Sequence, residues 1–518
     1  MTSMPFLTPF RLFGSTRLVG LVFVIWGMVA SIQSIPMRAE EGVDSNASGS
    51  GPKTNIDDEP GLLIIEGTVV DENGDPVPKT RVRLYSYDLM GEVPAALSDA
   101  QGRFRFSTNL ATIWDLVFVA DSLKDGRKAY AGTWEEETLG LPAPLKLVLK
   151  PPRVLEVEVR DSRGEPVGDA DVEALGAWSS LAHGRSAPDG SLRLTVPADA
   201  KVESVFALKS GLGFDCGTSR VNPDGAVQGP PEKLSLTLEG SRRVRIQVRD
   251  SAGHSISGIT VRPWTVFKQG RSFCSNFASG TGAHFGTAVT DPKGIATFDW
   301  LPIDFEDDIQ FLTRSEDFYL PKRTSVENDK KDDIELTMNL LRRTKMSGIV
   351  LAEEGTPVEG IIVQAEGRGQ QYYFREMART NAAGRFQFKA HPDQAYLVGV
   401  LDNQWGAPSQ IVPNLVEGEP VTGIKLRLSQ GTVVRGTVTD AEGRARSNVT
   451  VELSEWAESP GPDPMFVCLD RSAKTDSEGR YQFRLGSGTF DLFLPDNNQS
   501  VRLEIEEQRE VVQDFRVK

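Results

Sequence analysis

A glycine-centred turn recurs through almost the whole chain, at Gly74, Gly164, Gly253, Gly355 and Gly443, so about 90 residues separate each turn from the next. Chance does not hold such a period over five positions, and a repeat of this length is the size of one small domain. In the first copy Leu62 to Val70 is largely apolar, Asp71-Glu72-Asn73-Gly74-Asp75 interrupts it, and Arg81-Val82-Arg83-Leu84-Tyr85 alternates. An acid that can bond its own backbone, a glycine free to take positive φ and a period-two strand together make a β-hairpin. The same phrase runs from Val157 to Asp161 with Gly164, from Ile246 to Asp250 with Gly253, and from Gly436 to Asp440 with Gly443. The fourth copy places Ala352 where the acid stands and keeps Gly355-Thr356-Pro357-Val358.

A second glycine turn follows in every copy, at Gly102, Gly190, Gly294, Gly384 and Gly479, before alternating segments such as Arg103-Phe104-Arg105-Phe106. Each copy closes on one more alternating strand, for example Leu145 to Leu149 or Ile424 to Leu428. Roughly seven half-apolar strands can bury their inner residues only by packing two sheets face to face. The expected fold is therefore all-β, a tandem array of five β-sandwich domains over 62–153, 154–243, 244–343, 344–431 and 432–518. Joins of two to four residues, as at Lys150-Pro151-Pro152-Arg153, imply a semi-rigid string, which drawn out straight would suit a spacer or stalk.

The phrase G-x-V-x-D-x-x-G-x-P-V, carried by Gly67, Val69, Asp71, Gly74, Pro76 and Val77, is followed by D-x-x-G-x-F-x-F at Asp99, Gly102, Phe104 and Phe106. Together they resemble the carboxypeptidase regulatory-like domain, whose prealbumin-like sandwich is similar to collagen-adhesin B-type repeats and starch-binding-like modules. The resemblance is strongest in copies one, four and five, fair in two and weakest in three. It implies the fold, and it leaves function open because such modules accompany peptidases, transporters and surface proteins alike. Zinc carboxypeptidases that carry the module need H-x-x-E, and none of His183, His254, His284 and His391 stands in that context. Adhesin-type self-stapling starts from a lysine in the first strand, which only the fourth copy supplies, as Lys345.

A formal charge of −15 repels phosphate backbones, so nucleic acid is not an expected partner. Arg11 and Arg17 precede the apolar run Leu18 to Ile32, which reads as a secretory signal or as an uncleaved anchor within 1–39, followed by a polar leader over 40–61. Both readings place the body outside the cytoplasm, secreted, periplasmic or at the cell surface, with the membrane met only through residues 18–32. The three cysteines, Cys216, Cys274 and Cys468, fall in copies two, three and five, so no copy can close its own disulfide.

No nucleophile elbow, phosphate loop or zinc-helix motif occurs, and the expectation is a protein without enzymatic activity, cofactor or metal. Asp71 to Asp75 imitates the start of a calcium loop, yet Val82 stands where the twelfth-position glutamate belongs, and the segment reads as a turn. The copies differ most between their second and third strands, where the third lengthens and carries Trp264, Phe267, Phe273, Cys274, Phe277 and His284. The fourth has Tyr372, Tyr373 and Phe374 there, and the fifth has Trp456, Met465, Phe466 and Cys468. Loops at one end of a rigid sandwich commonly carry binding residues, so Trp264, Tyr372, Tyr373, Phe374 and Trp456 are the candidate ligand contacts. The leading expectation is an exported envelope or surface scaffold, structural or adhesive, with an envelope protein or glycan as partner and no obligate oligomer. The alternatives are a carbohydrate-binding protein that uses these aromatics and an accessory subunit of a peptidase or polysaccharide-processing complex.

Overall fold

The computed structural model describes residues 61–86, 94–108, 116–132, 145–176, 179–218, 220–221, 227–268, 275–276, 286–305, 308–327, 333–368, 373–402, 404–413, 415–458, 466–495, 499–506 and 509–517. The signal or anchor segment and leader residues 40–60 lie outside them. Among the described residues there is no α-helix and none long and apolar enough to cross a membrane; the strands build five successive two-sheet sandwiches.

In the first sandwich the strands are β1 (Leu63–Val70), β2 (Thr80–Tyr85), β3 (Ala95–Leu97), β4 (Arg103–Thr108), β5 (Val117–Ser122), β6 (Lys128–Gly132) and β7 (Leu145–Val148). One sheet has the order β4-β1-β7, with β4 antiparallel and β7 parallel to the central first strand; the other is antiparallel in the order β3-β2-β5-β6. Ile65 and Val69 of β1, Val82 and Leu84 of β2, Phe104 and Phe106 of β4 and Phe118 of β5 all point between the sheets and are buried. The second sandwich repeats this plan with β8 (Arg153–Asp161), β9 (Asp171–Gly176), β10 (Ser179–Arg185), β11 (Ser191–Val196), β12 (Ser204–Lys209) and β13 (Gly213–Thr218), closed by Lys233–Leu238 running parallel to β8. First strands Ser241–Arg249, Thr344–Leu351 and Thr432–Thr439 occupy the same central position in the remaining three.

The turn chemistry is as the spacing implies. Asp71 Oδ1 accepts the N–H groups of Asn73 and Asp75 at 2.9 and 3.0 Å while Gly74 adopts φ 90°, a conformation that burdens any residue with a Cβ. Where Ala352 replaces the acid the turn keeps its backbone bonds, Thr356 O accepting from Ala352 N–H at 2.8 Å and Ala352 O from Gly355 N–H at 2.9 Å.

Cross-strand volume explains which copies carry the glycine of the opening phrase. Gly67 faces Phe104 directly, and a Cβ there would lie 2.5 Å from the phenyl Cζ. Gly348 meets Phe386 and Gly436 meets Tyr481 in the same register. Copies two and three solve the same space differently, pairing Val157 with Leu192 and Ile246 with Ala296. A ring over a glycine and two mid-sized side chains fill equivalent volume, so the pair changes together.

One contact contradicts a straight string. Gly61 N–H donates to the Arg379 carbonyl of the fourth sandwich at 3.1 Å, at the end of Tyr373–Arg379. An extended row would hold first and fourth members far apart.

Two outcomes follow from these geometries. Gly67→Val alone overpacks the first core and costs about 1–3 kcal/mol, whereas Gly67→Val with Phe104→Leu recovers part of that loss, as read by a double-mutant cycle in denaturant. Asp71→Ala costs about 1 kcal/mol of local stability in hydrogen exchange, and Ala352→Asp gains in the fourth hairpin.

Candidate functional site

The aromatic candidates do not converge. Trp264 sits between Thr260–Pro263 and Thr265–Val266, half-buried, its backbone N–H donating to the Gln310 carbonyl at 2.7 Å. The Arg323 guanidinium lies 5.4 Å from its ring centroid, so a cation already occupies one approach to that ring. Tyr372 lies outside the described residues, as do Phe273, Cys274, Phe277, His284 and Met465. Tyr373 and Phe374 open the edge strand Tyr373–Arg379, paired with Arg368 and Gly367.

Trp456 is not at a loop tip. It stands within the nine-residue strand Thr450–Glu458, paired with Cys468 of Phe466–Lys474 and with Thr489, and its indole N–H is buried without a hydrogen-bond partner. What reads as an insertion is a lengthened hairpin. Its far end lies across the fourth sandwich, where Leu469 is buried against Ala395 and Leu397, with Ile411 and Ala457 at the margin.

Such contacts recur at each junction, and at the first, second and fourth the outward face of a four-stranded sheet supplies them. A strand in which both faces are buried loses the polar face that would meet water, and any charge left there must find a partner. Glu366, outward on Ile362–Arg368, is fully buried; its Oε1 accepts from Arg375 Nε at 2.6 Å and from Gln364 Nε2, and its Oε2 accepts the N–H of Asp470 from the fifth sandwich at 3.0 Å. Burial pushes its pKa up to about 7 against the pull of Arg375. Gln364 Nε2 donates to the Asp470 carbonyl at 3.2 Å, and Ser409 Oγ reaches Glu455 Oε2 at 2.8 Å. Burial raises the pKa of Glu455 and lowers that of Arg471, whose Nη2 lies 3.6 Å from Glu455 Oε2.

At the third junction Arg343 reaches Glu376 Oε1 at 3.2 Å and the carbonyls of Lys389 and Phe318 at 3.1 and 3.4 Å. Beside it the Tyr319 and His391 rings stack at 4.2 Å and 6°, and burial holds the imidazole well below its ordinary pKa, hence neutral. At the second junction Phe214 of β13 lies between Phe206 at 5.9 Å and Trp300 of the third sandwich at 5.8 Å, and Lys268 bonds Asp215, Glu239 and the Thr237 carbonyl at 3.2, 2.9 and 2.9 Å. At the first, Tyr85, Val117 and Val119 of the first sandwich belong to the core cluster of the second.

Among the described residues one trio of metal-type ligands meets at a junction, Glu366, Cys468 and Asp470, with ligand atoms within 4.8 Å of one another. The donor set does not suit a cation. Arg375 and Gln364 already occupy Glu366 Oε1, Asp470 Oδ1 accepts from Ser454 Oγ at 2.5 Å, and a guanidinium beside the cluster opposes a second positive charge. Cys216 and Cys468 are buried thiols outside any disulfide. Of the histidines, His183 is exposed, His254 is exposed with its Nδ1 3.3 Å from Asp250, and His391 lies in the stack above. Lys345 is exposed and points away from the core of its sandwich.

Arg375→Ala leaves Glu366 buried without its cation and costs about 3–5 kcal/mol. The loss is expected as faster proteolysis at the fourth junction, with the first two sandwiches unaffected.

No family model matches the chain, and no curated protein matches it. Solved structures that resemble it include the Bacillus anthracis TIE protein, at 12% identity over 78% of this chain and 71% of that one with a TM-score of 0.17. The minor pilin GBS52 of Streptococcus agalactiae shares 12% identity over 36% of this chain and 97% of its own, with a TM-score of 0.22. BcpA, the major pilin subunit of Bacillus cereus, shares 10% identity over 54% of this chain and 99% of its own, with a TM-score of 0.15. At such scores the assignment of the fold rests on the sheets themselves.

Proposed function

We propose that this chain is an exported scaffold of the bacterial envelope, structural or adhesive, whose sandwiches hold one another in set orientations, and that it performs no catalysis of its own. The observation that supports this reading most is the placement of its buried charge. Glu366 with Arg375, Glu376 with Arg343, and Asp215 with Lys268 all lie at junctions. Opening such a junction separates or hydrates a buried pair, so each resists swivelling more than a flexible linker does. The opening phrase at Gly67 to Val77 fits a carboxypeptidase regulatory-like module serving as a passive building block, and the apolar run 18–32 fits delivery across a membrane.

Glycan recognition is the second reading, and Trp264, half-buried between two short strands, is its described candidate outside a long strand, whereas Trp456 is held within one. The two readings separate experimentally. Small-angle scattering of the full chain is expected to give one compact, rigid particle, with a broader distance distribution once Phe214→Ala removes the aromatic bridge of the second junction. A wild-type profile of freely swivelling beads overturns the scaffold reading, as does recovery of the chain in the cytosolic fraction. A glycan array that gives binding lost in Trp264→Ala favours the second reading instead.

A further inference from the structure

The junction between the first and second sandwiches differs from the others in one respect: its buried acid is not paired. Glu173 lies on β9 between Val172 and Ala174, which point into the second core, so its own side chain points outward toward the first sandwich. It is 1% exposed, and its Oε2 has no hydrogen-bond partner. The cation that faces it, Arg83 of β2, turns both Nη atoms elsewhere, Nη1 donating to Tyr85 Oη at 2.8 Å and Nη2 to Asp121 Oδ2 at 2.7 Å, while its Nε bonds nothing. Asp121 of β5 also takes Lys128 of β6, so both of these cations of the first sandwich bond Asp121 rather than Glu173.

We propose that this junction is a pH-dependent joint, closed while the Glu173 carboxyl is protonated and loosened when it ionises. A carboxylic acid fits a dry, apolar junction bounded by Tyr85, Val117, Val119 and Leu181; a carboxylate without a partner there does not.

The titratable groups that face the site carry both signs. From the first sandwich these are Arg83, Tyr85, Asp121, Lys128 and Tyr130, and from the second Asp171, His183 and Glu203. Burial is the largest influence on Glu173 and lifts its pKa to about 7, with Ser180 and Arg83 drawing it down. His183, on the neighbouring β10 and in register with Glu173, is lowered by burial and by Arg83, and so supplies no compensating charge near neutrality. Glu203 is raised by burial too, with Lys201 opposing, and Tyr85 and Tyr130 are held protonated.

The sign follows from linkage. In an opened junction Glu173 regains the ordinary carboxyl value of 4.5, whereas the closed junction holds it near 7. Closure is therefore favoured in full below the lower value, loses ground as pH rises between the two, and changes no further above the higher one. Between about pH 5 and about pH 8 the open-to-closed ratio is expected to rise at least tenfold.

The test is hydrogen exchange on the full chain at those two pH values, corrected for the intrinsic rate. Amides of β2, β5, β9 and β10 are expected to lose at least tenfold protection at the higher pH, while the second, third and fourth junctions hold theirs. Glu173→Gln, neutral at both pH values and nearly isosteric, is expected to abolish the difference. A wild-type junction equally protected at both pH values overturns the proposal, and so does a Glu173→Gln protein that keeps the wild-type dependence. Should Glu173→Gln fold poorly, Arg83→Gln decides: loss of the facing cation moves the opening transition to higher pH, and an unmoved transition removes Glu173 from the mechanism.

Discussion

A sandwich of about ninety residues has enough apolar surface to close one core, and the outward faces of its sheets ordinarily meet water. Here the outward face of the four-stranded sheet in the first, second and fourth sandwiches is covered by a neighbour, and that second burial governs the rest. Phe214 and Cys216 project away from their own core and into a cluster that holds Val244, Phe298 and Trp300 of the next sandwich. The second and third sandwiches therefore share a core in the physical sense, although the sequence repeats as if each were self-contained. Removing either exposes aromatic surface on the other.

Burying the outward face of a strand also buries whatever polar residue the alternation puts there. The junctions answer this in different ways. Glu366 gathers Arg375, Gln364 and a backbone N–H from the next sandwich, so separation of the two strips away a hydrogen bond to a charge. Arg343 spends its guanidinium on one carboxylate and one carbonyl across its boundary and on the Phe318 carbonyl of its own sandwich. Such pairs add little net stability compared with apolar packing, yet they penalise misalignment steeply, which suits orientation more than affinity. Glu173 stands apart because Arg83 and Lys128 of the facing sandwich both bond Asp121 instead.

Much of the architecture was legible in the residues. The turn glycines, the acids that cap them and the period-two strands all depend on contacts within a few positions, and local chemistry is what a sequence displays most directly. The weaker match of the second and third copies also had a cause in plain view, since Val157 with Leu192 and Ile246 with Ala296 replace the glycine and ring of the others. That pairing needs the register of two strands about forty residues apart, so it surfaced only with the sheets. The junction residues gave no signal: Glu173, Glu366, Arg343 and Lys268 occupy positions where a charge on a wet face is ordinary. Trp456 misled for a related reason, because a long segment between strands looks the same whether it loops into solvent or extends a hairpin over a neighbour.

By itself the sequence determined the strand, the turn and the number of copies, since these follow from hydrogen bonding and side-chain alternation along the chain. Tertiary structure alone decided which outward faces are dry, that Gly61 meets Arg379, and which carboxylates find a cation. The physical reason is that burial and ion pairing belong to groups brought together from distant copies, and a periodic pattern is silent about which copy faces which.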